Sequence, residues 1–266
     1  MPDLLLRTAS TLSLALLAPV LVRQGKRVRR DTPRLPEAAG PRTGEIPGQG
    51  VPVRLLVLGE STAAGVGAAD HQEGLAGQVA RAVAAETGRP VRWRVIGRNG
   101  ATAGSTRTEL FIPAGEVDAD VAVVALGVND TLRMTSPARW TADLDRLIGS
   151  VRERCGAVHV ILAGVPPMGV FPGIPQPLRG VLGMRAALLD RAAARLAGRM
   201  DAVRHVTVPL PPAAGVDHFF CGDRFHPSPH GYARWGDALG RAAAAAVTET
   251  GRGEAGGVMS KGRGRR

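Results

Sequence analysis

Cysteine is almost missing from this chain. Cys155 and Cys221 are the only two in 266 residues, and they form neither a metal-ligand spacing nor a disulfide framework. That excludes a disulfide-stapled scaffold and a thiolate metal site, and it says little about compartment. Aromatic residues amount to 3%. The N-terminal uncharged run from Thr8 to Val22 stops at fifteen residues, short of the roughly 20 of a spanning helix. No small-x-small cleavage signal follows that run; Pro19 lies near its end and a basic cluster follows instead, so a cleaved secretory leader is the weaker reading. Gly65-Val66-Gly67 lacks the third glycine of a dinucleotide loop, Asp70 occupying its place.

What is present is apolar bulk. Hydrophobic residues make up 44% and charged ones 21%, enough for a sizeable core in one large catalytic-sized domain. The formal charge of +11 would suggest nucleic acid if it covered a domain face. Instead, residues 1–34 carry seven Lys/Arg against two Asp, and residues 252–266 carry five against one Glu, so the ends hold nine of the eleven charges. No nucleic-acid partner is expected. Counting from Leu4, with Arg7 snorkelling, the N-terminal apolar stretch reaches nineteen residues. Residues 4–30 therefore read as a segment for a membrane surface, as an anchor or as a helix lying in the interface, with a helix lying on the domain as the alternative. Most neighbouring basic residues follow the apolar stretch, which would keep the domain cytoplasmic; secretion is the alternative. Oligomeric state is left open.

Four regions follow from composition: a hydrophobic and basic segment over residues 1–30, a Pro/Gly-rich linker over 31–52, a domain over 53–248 and a basic flexible tail over 249–266. Within the domain, strand-like runs at Val53–Leu58, Val91–Ile96, Asp120–Leu126, Ala157–Ala163 and Val203–Val208 alternate with helix-like stretches near Gly74–Thr87, Ala138–Arg154, Val181–Arg199 and Pro229–Thr248. Such alternation predicts an α/β fold with a mostly parallel sheet covered on both faces. In such sheets ligands bind beyond the carboxyl ends of the strands. Ser61, Asn99–Gly104, Gly127–Asp130 and Asp223–His226 each follow a strand.

These segments carry acyl-transfer chemistry. A serine hydroxyl is a weak nucleophile until a base takes its proton, and an imidazole serves as base when a third group fixes its tautomer. Ser61, His226 and Asp223 can fill those places, and the spacing of three lets one tight turn join Asp223 to His226. His71, His159, His205, His218 and His230 lack an aspartate three residues earlier and read as packing or surface residues, with His230 the least certain. Ser61 taken alone also reads as a helix N-cap, and Asn129-Asp130 as a turn.

In order along the chain, Gly59-Glu60-Ser61, Gly104, Gly127-Val128-Asn129-Asp130 and Asp223-Arg224-Phe225-His226 resemble the four motif blocks of the SGNH hydrolases, the GDSL lipases and esterases. The resemblance covers about residues 53–245. It implies a three-layer α/β/α fold around a central, mostly parallel five-stranded sheet of SGNH or flavodoxin-like kind, with Ser61, Asp223 and His226 catalytic. It also implies an oxyanion hole from the Ser61 and Gly104 backbone amides and the Asn129 side chain, with no cofactor and no metal. The expected partner is a small-molecule ester, cleaved through an acyl-enzyme. A carbohydrate deacetylase, lysophospholipase or thioesterase fits the same motifs, and a membrane-tethered binding module is the non-enzyme alternative. Glu60 departs from the family's usual aspartate. The Pro166–Leu178 segment is expected as a hydrophobic acyl wall or partial lid, as a rigid surface loop, or as a loop packing inward, and scarce aromatics with no large lid insertion point to short or medium acyl chains.

Overall fold

A computed structural model describes residues 2–109, 117–157, 159–210 and 215–258 of the chain. The apolar runs of the sequence become strands β2 (Val53–Gly59), β3 (Val91–Gly97), β4 (Val121–Ala125), β5 (His159–Ala163) and β6 (Val203–Val206). They pair in parallel in the order β3-β2-β4-β5-β6. β4 and β5 are buried at every position, which is why they read as continuous apolar runs rather than as alternation.

A sixth strand joins them. Thr43–Ile46 forms β1, antiparallel to β3 at the edge of the sheet. It lies inside the stretch expected to be a linker, and it is too short and polar to stand out by periodicity. Gly44 admits it: a Cβ there would stand 2.3 Å from the Trp93 ring. The rest of the stretch is fastened as well. Arg42 donates to the Gly97 carbonyl at 2.6 Å and pairs with Glu37 at 2.6 Å, and Glu37 accepts the Asn99 N–H at 2.7 Å.

Side chains along each strand alternate between two cores. Leu56, Leu58, Ala122, Val124 and Leu162 face one layer with Trp140, Leu144 and Ile148 of α5 (Pro137–Cys155) and Leu182 and Leu189 of α6 (Leu178–Ala197). Leu55, Val57, Val121 and Val123 face the other with Val79 and Val83 of α2 (Leu75–Thr87) and Tyr232, Trp235 and Leu239 of α8 (Pro229–Val258). This is the expected α/β/α sandwich. α2 and α8 approach closely because Gly236 and Gly240 of α8 face α2: a Cβ at Gly240 would meet Ala82 Cβ at 2.3 Å. α8 continues past Thr248 to Val258, so the first part of the expected tail is helical; residues 259–266 lie outside the described residues.

The N-terminal segment is also helical, as α1 (Pro2–Asp31). Its Gln24 side chain bridges to the backbone of Gln176 and Leu178, at 2.6 and 3.1 Å, while Leu17, Val20 and Val22 are exposed. Among the described residues no helix is long and apolar enough to cross a membrane, so the spanning form of the anchor finds no support.

Sheet topology decides where a site can form. β2 pairs with β3 on one side and β4 on the other, so the chain reverses direction across the sheet at β2. Loops after β2 and β4 therefore part there and leave a crevice.

Candidate active site

Ser61 stands at that crevice, two residues beyond the end of β2. The approach is tight. Gly59 has φ of +157°, and a Cβ there would lie 2.0 Å from the Ala125 carbonyl oxygen. Beyond it the chain forms consecutive turns rather than a helix, so Ser61 caps nothing. Its hydroxyl lies 3.1 Å from His226 Nε2, and His226 Nδ1 lies 2.6 Å from Asp223 Oδ2. Because Nδ1–H donates to the carboxylate, Nε2 is left as an acceptor for the serine hydroxyl.

Asp223 is itself built into the turn that bears His226. Its Oδ1 accepts the backbone N–H groups of Phe225 and His226, both at 2.9 Å, and the Cys221 thiol at 3.0 Å. Its side chain is fully buried. Burial pushes the carboxyl pKa up, but hydrogen bonds from the His226 ring, Cys221 and the two N–H groups outweigh it and leave the value at about 2. Asp223 is thus an anion at any working pH. Burial, with Asp223 beside it, pushes the Cys221 thiol up to about 11, so it stays a donor. Cys221 thus has a polar role at the site, and its position two residues before Asp223 is the signal the sequence offers for it.

The serine and histidine loops meet through glycine and tyrosine. A Cβ at Gly67 would stand 2.5 Å from the Pro227 carbonyl oxygen and 3.2 Å from Cys221 Sγ, and the buried Tyr232 hydroxyl donates to the Val66 carbonyl at 2.7 Å. Phe225 meets His226 edge-on with centroids 5.3 Å apart.

The remaining predicted residues are joined by two buried carboxylates. Glu60, 2% exposed, accepts the backbone N–H groups of Val128 and Asn129 at 2.9 Å and the Asn129 side-chain amide at 2.5 Å. That amide also donates to the Ala101 carbonyl at 3.0 Å. Asp130, 1% exposed, accepts the Ala103 N–H at 3.0 Å and so holds the start of α3 (Ala103–Glu109), where Gly104 sits. The N–H groups of a helix's first turn have no intrahelical acceptor. At Gly104 the missing Cβ is required on the α5 side, where it would stand 3.1 Å from Asp143 Oδ2. Gly104 also lines a cleft of about 450 Å³ with Thr102, Ser105, Arg107, Thr135 and Arg139.

Other histidines lie elsewhere. His205 makes a second His–Asp pair, at 2.8 Å from Asp190, but Asp190 also accepts the Val165 N–H at 2.9 Å, and among the described residues no hydroxyl bonds His205. It ties β6 to α6. His230 lines a separate cleft with His218 and Arg234. The Pro166–Leu178 segment packs inward: Met168, Phe171 and Ile174 are at most 3% exposed and belong to the core on the α5 and α6 side. The acyl-wall alternative fails for these residues, because Phe171 is held by edge-on contacts with Phe220 and Phe225. Among the described residues no group of three or more His, Cys, Asp or Glu is arranged to hold a metal ion.

The sequence profile of the GDSL-like lipase/acylhydrolase family matches residues 57–234. A GDSL-like esterase of Mycobacterium tuberculosis is 33% identical over 209 residues, spanning 74% of this chain and 63% of that protein. The chain thus covers less than two thirds of that relative's length. Among solved structures, a lipase from a goat rumen metagenome superposes with a TM-score of 0.56 at 19% identity, over 72% of this chain and 97% of its own. A lipase/acylhydrolase of Enterococcus faecalis does so at 0.55 and 24%, over 71% and 94%. At these identities the likeness is one of fold.

Proposed function

The chain belongs to the GDSL-like lipase/acylhydrolase family, and from that premise we propose that it hydrolyses carboxylic esters through a covalent acyl-enzyme on Ser61. The observation that carries this reading is the relay from Ser61 Oγ to His226 Nε2 at 3.1 Å and from His226 Nδ1 to Asp223 Oδ2 at 2.6 Å.

The steps follow from that geometry. His226 Nε2 takes the hydroxyl proton as Ser61 Oγ bonds to the ester carbonyl carbon, and the carbonyl oxygen gains the negative charge. The backbone N–H groups of Ser61 and Gly104 and the Asn129 amide meet that charge; one such donor is worth a factor of about 10² to 10³ in kcat. Asp223 stabilises the imidazolium. His226 then returns the proton to the departing alkoxide, leaving the acyl group on Ser61. Water, deprotonated by the same nitrogen, attacks the acyl carbon and regenerates the serine.

Acetyl and other short acyl esters are the proposed substrates. Support comes from the Pro166–Leu178 segment, whose buried apolar side chains are engaged in the core and leave little to line a long-chain groove. The polar cleft beside Gly104 favours a hydroxyl-rich alcohol portion, which keeps acetylated carbohydrate as the second reading. A fluorophosphonate probe should label the wild type and fail on Ser61→Ala; labelling that survives would refute the nucleophile. Turnover of p-nitrophenyl esters should fall from acetate to palmitate, and equal rates along the series would refute the short-chain reading.

A further inference from the structure

Glu60 is a buried ionisable group that the reaction above does not use. It sits between Gly59 and the nucleophile, 2% exposed, and among the described residues no basic side chain pairs with it. A buried carboxylate without a cation is costly and calls for compensating donors. Here all of them come from one turn: the Val128 N–H to Oε1, and the Asn129 N–H and side-chain amide to Oε2. A primary amide carries two protons. One Asn129 proton goes to Glu60 and the other to the Ala101 carbonyl, so the nitrogen is held between two acceptors drawn from the loops after β2 and β3.

We propose that Glu60 is a positioning residue of the oxyanion hole: its carboxylate fixes the Asn129 side-chain amide in the turn after β4, and that amide shares one of its own protons with the substrate oxyanion. This rests on the reading that Asn129 is an oxyanion donor. The link is direct: Glu60 neighbours the nucleophile in sequence and grips both the backbone and the side chain of residue 129. A change at Glu60 therefore moves the donor relative to the attacking oxygen, without touching the substrate.

A double-mutant cycle separates this from a structural role. Glu60→Gln retains size but turns one acceptor oxygen into a donor facing N–H groups. With p-nitrophenyl acetate it should lower kcat about tenfold or more while KM stays within about threefold, the pattern of a lost transition-state contact. In an Asn129→Ala background the same change should cost less than about threefold. Full additivity, with Asn129→Ala alone severely impaired, overturns the role of Glu60. An Asn129→Ala enzyme with undiminished kcat overturns the oxyanion assignment itself and the present proposal with it. If Glu60→Gln does not fold, Glu60→Ala, which removes the carboxylate altogether, runs through the same cycle with the same criteria.

Discussion

Asp223→Asn is the sharpest test of the relay, because the structure dictates how the new amide must sit. Oδ1 of Asp223 receives three donors, the Cys221 thiol and the N–H groups of Phe225 and His226, whereas Oδ2 receives one, from His226 Nδ1. An asparagine has one acceptor oxygen and one donor nitrogen. Placing the nitrogen at the Oδ1 site would set it against three donors, so the oxygen takes that site and the nitrogen faces His226. The imidazole must then accept at Nδ1 and carry its proton on Nε2, pointing at Ser61, which leaves the serine without a base. The fold is preserved, since the three donors keep their acceptor. A wrong tautomer of this kind lowers kcat by the order of 10⁴, about 5 kcal/mol of transition-state stabilisation. Steady-state hydrolysis of p-nitrophenyl acetate measures the loss, and nitrogen NMR of the His226 ring reports the tautomer. A variant within tenfold of wild type, or one whose proton remains on Nδ1, would refute the reasoning.

Glu60 also predicts a pH dependence of stability. Burial chiefly, with Asp130 nearby, outweighs the three N–H donors and raises its pKa from an ordinary 4.5 to about 7. A folded-state pKa above the unfolded one favours the fold most below pH 4.5, and the contribution is lost as pH rises through 7. The unfolding free energy of wild type relative to Glu60→Gln should therefore fall by about 3 kcal/mol between pH 4.5 and pH 9, as read from denaturant titrations; a flat difference would show that the donors, not burial, dominate. Gly59→Ala should abolish soluble expression or cost several kcal/mol, since its Cβ would stand 2.0 Å from a backbone oxygen at a φ of +157°. A normal melting temperature for that variant would count against the close packing of β2 on β4.

Much of the fold was legible because burial writes itself into periodicity. The five parallel strands were readable as apolar runs, and β4 and β5 in particular have no solvent face to dilute the signal. β1 was not readable: Thr43-Gly44-Glu45-Ile46 is an edge strand whose partner is chosen by the Trp93 ring and the Arg42 and Glu37 contacts, all remote in sequence. Phe171 of the Pro166–Leu178 segment was ambiguous for a related reason, since an apolar loop residue faces either a ligand or the core, and Phe220 and Phe225, roughly fifty residues on, decide which.

By itself the sequence determined the residue types and their local grouping. Asp223 and His226 are joined across a spacing of three, which one turn can close, and Ser61, Gly104 and Asn129 each stand just past a strand. Chain chemistry and short spacings suffice for that, because they depend on neighbours a few residues apart. Only the tertiary structure decided which bonds the site makes: the Ser61 hydroxyl against His226, the Cys221 thiol on Asp223, and the Glu60 carboxylate drawing in the turn of Asn129. Two of those three contacts join groups more than sixty residues apart in the chain, and all three depend on burial, which sets a carboxylate's partners and its pKa only after the sheet has brought the loops together.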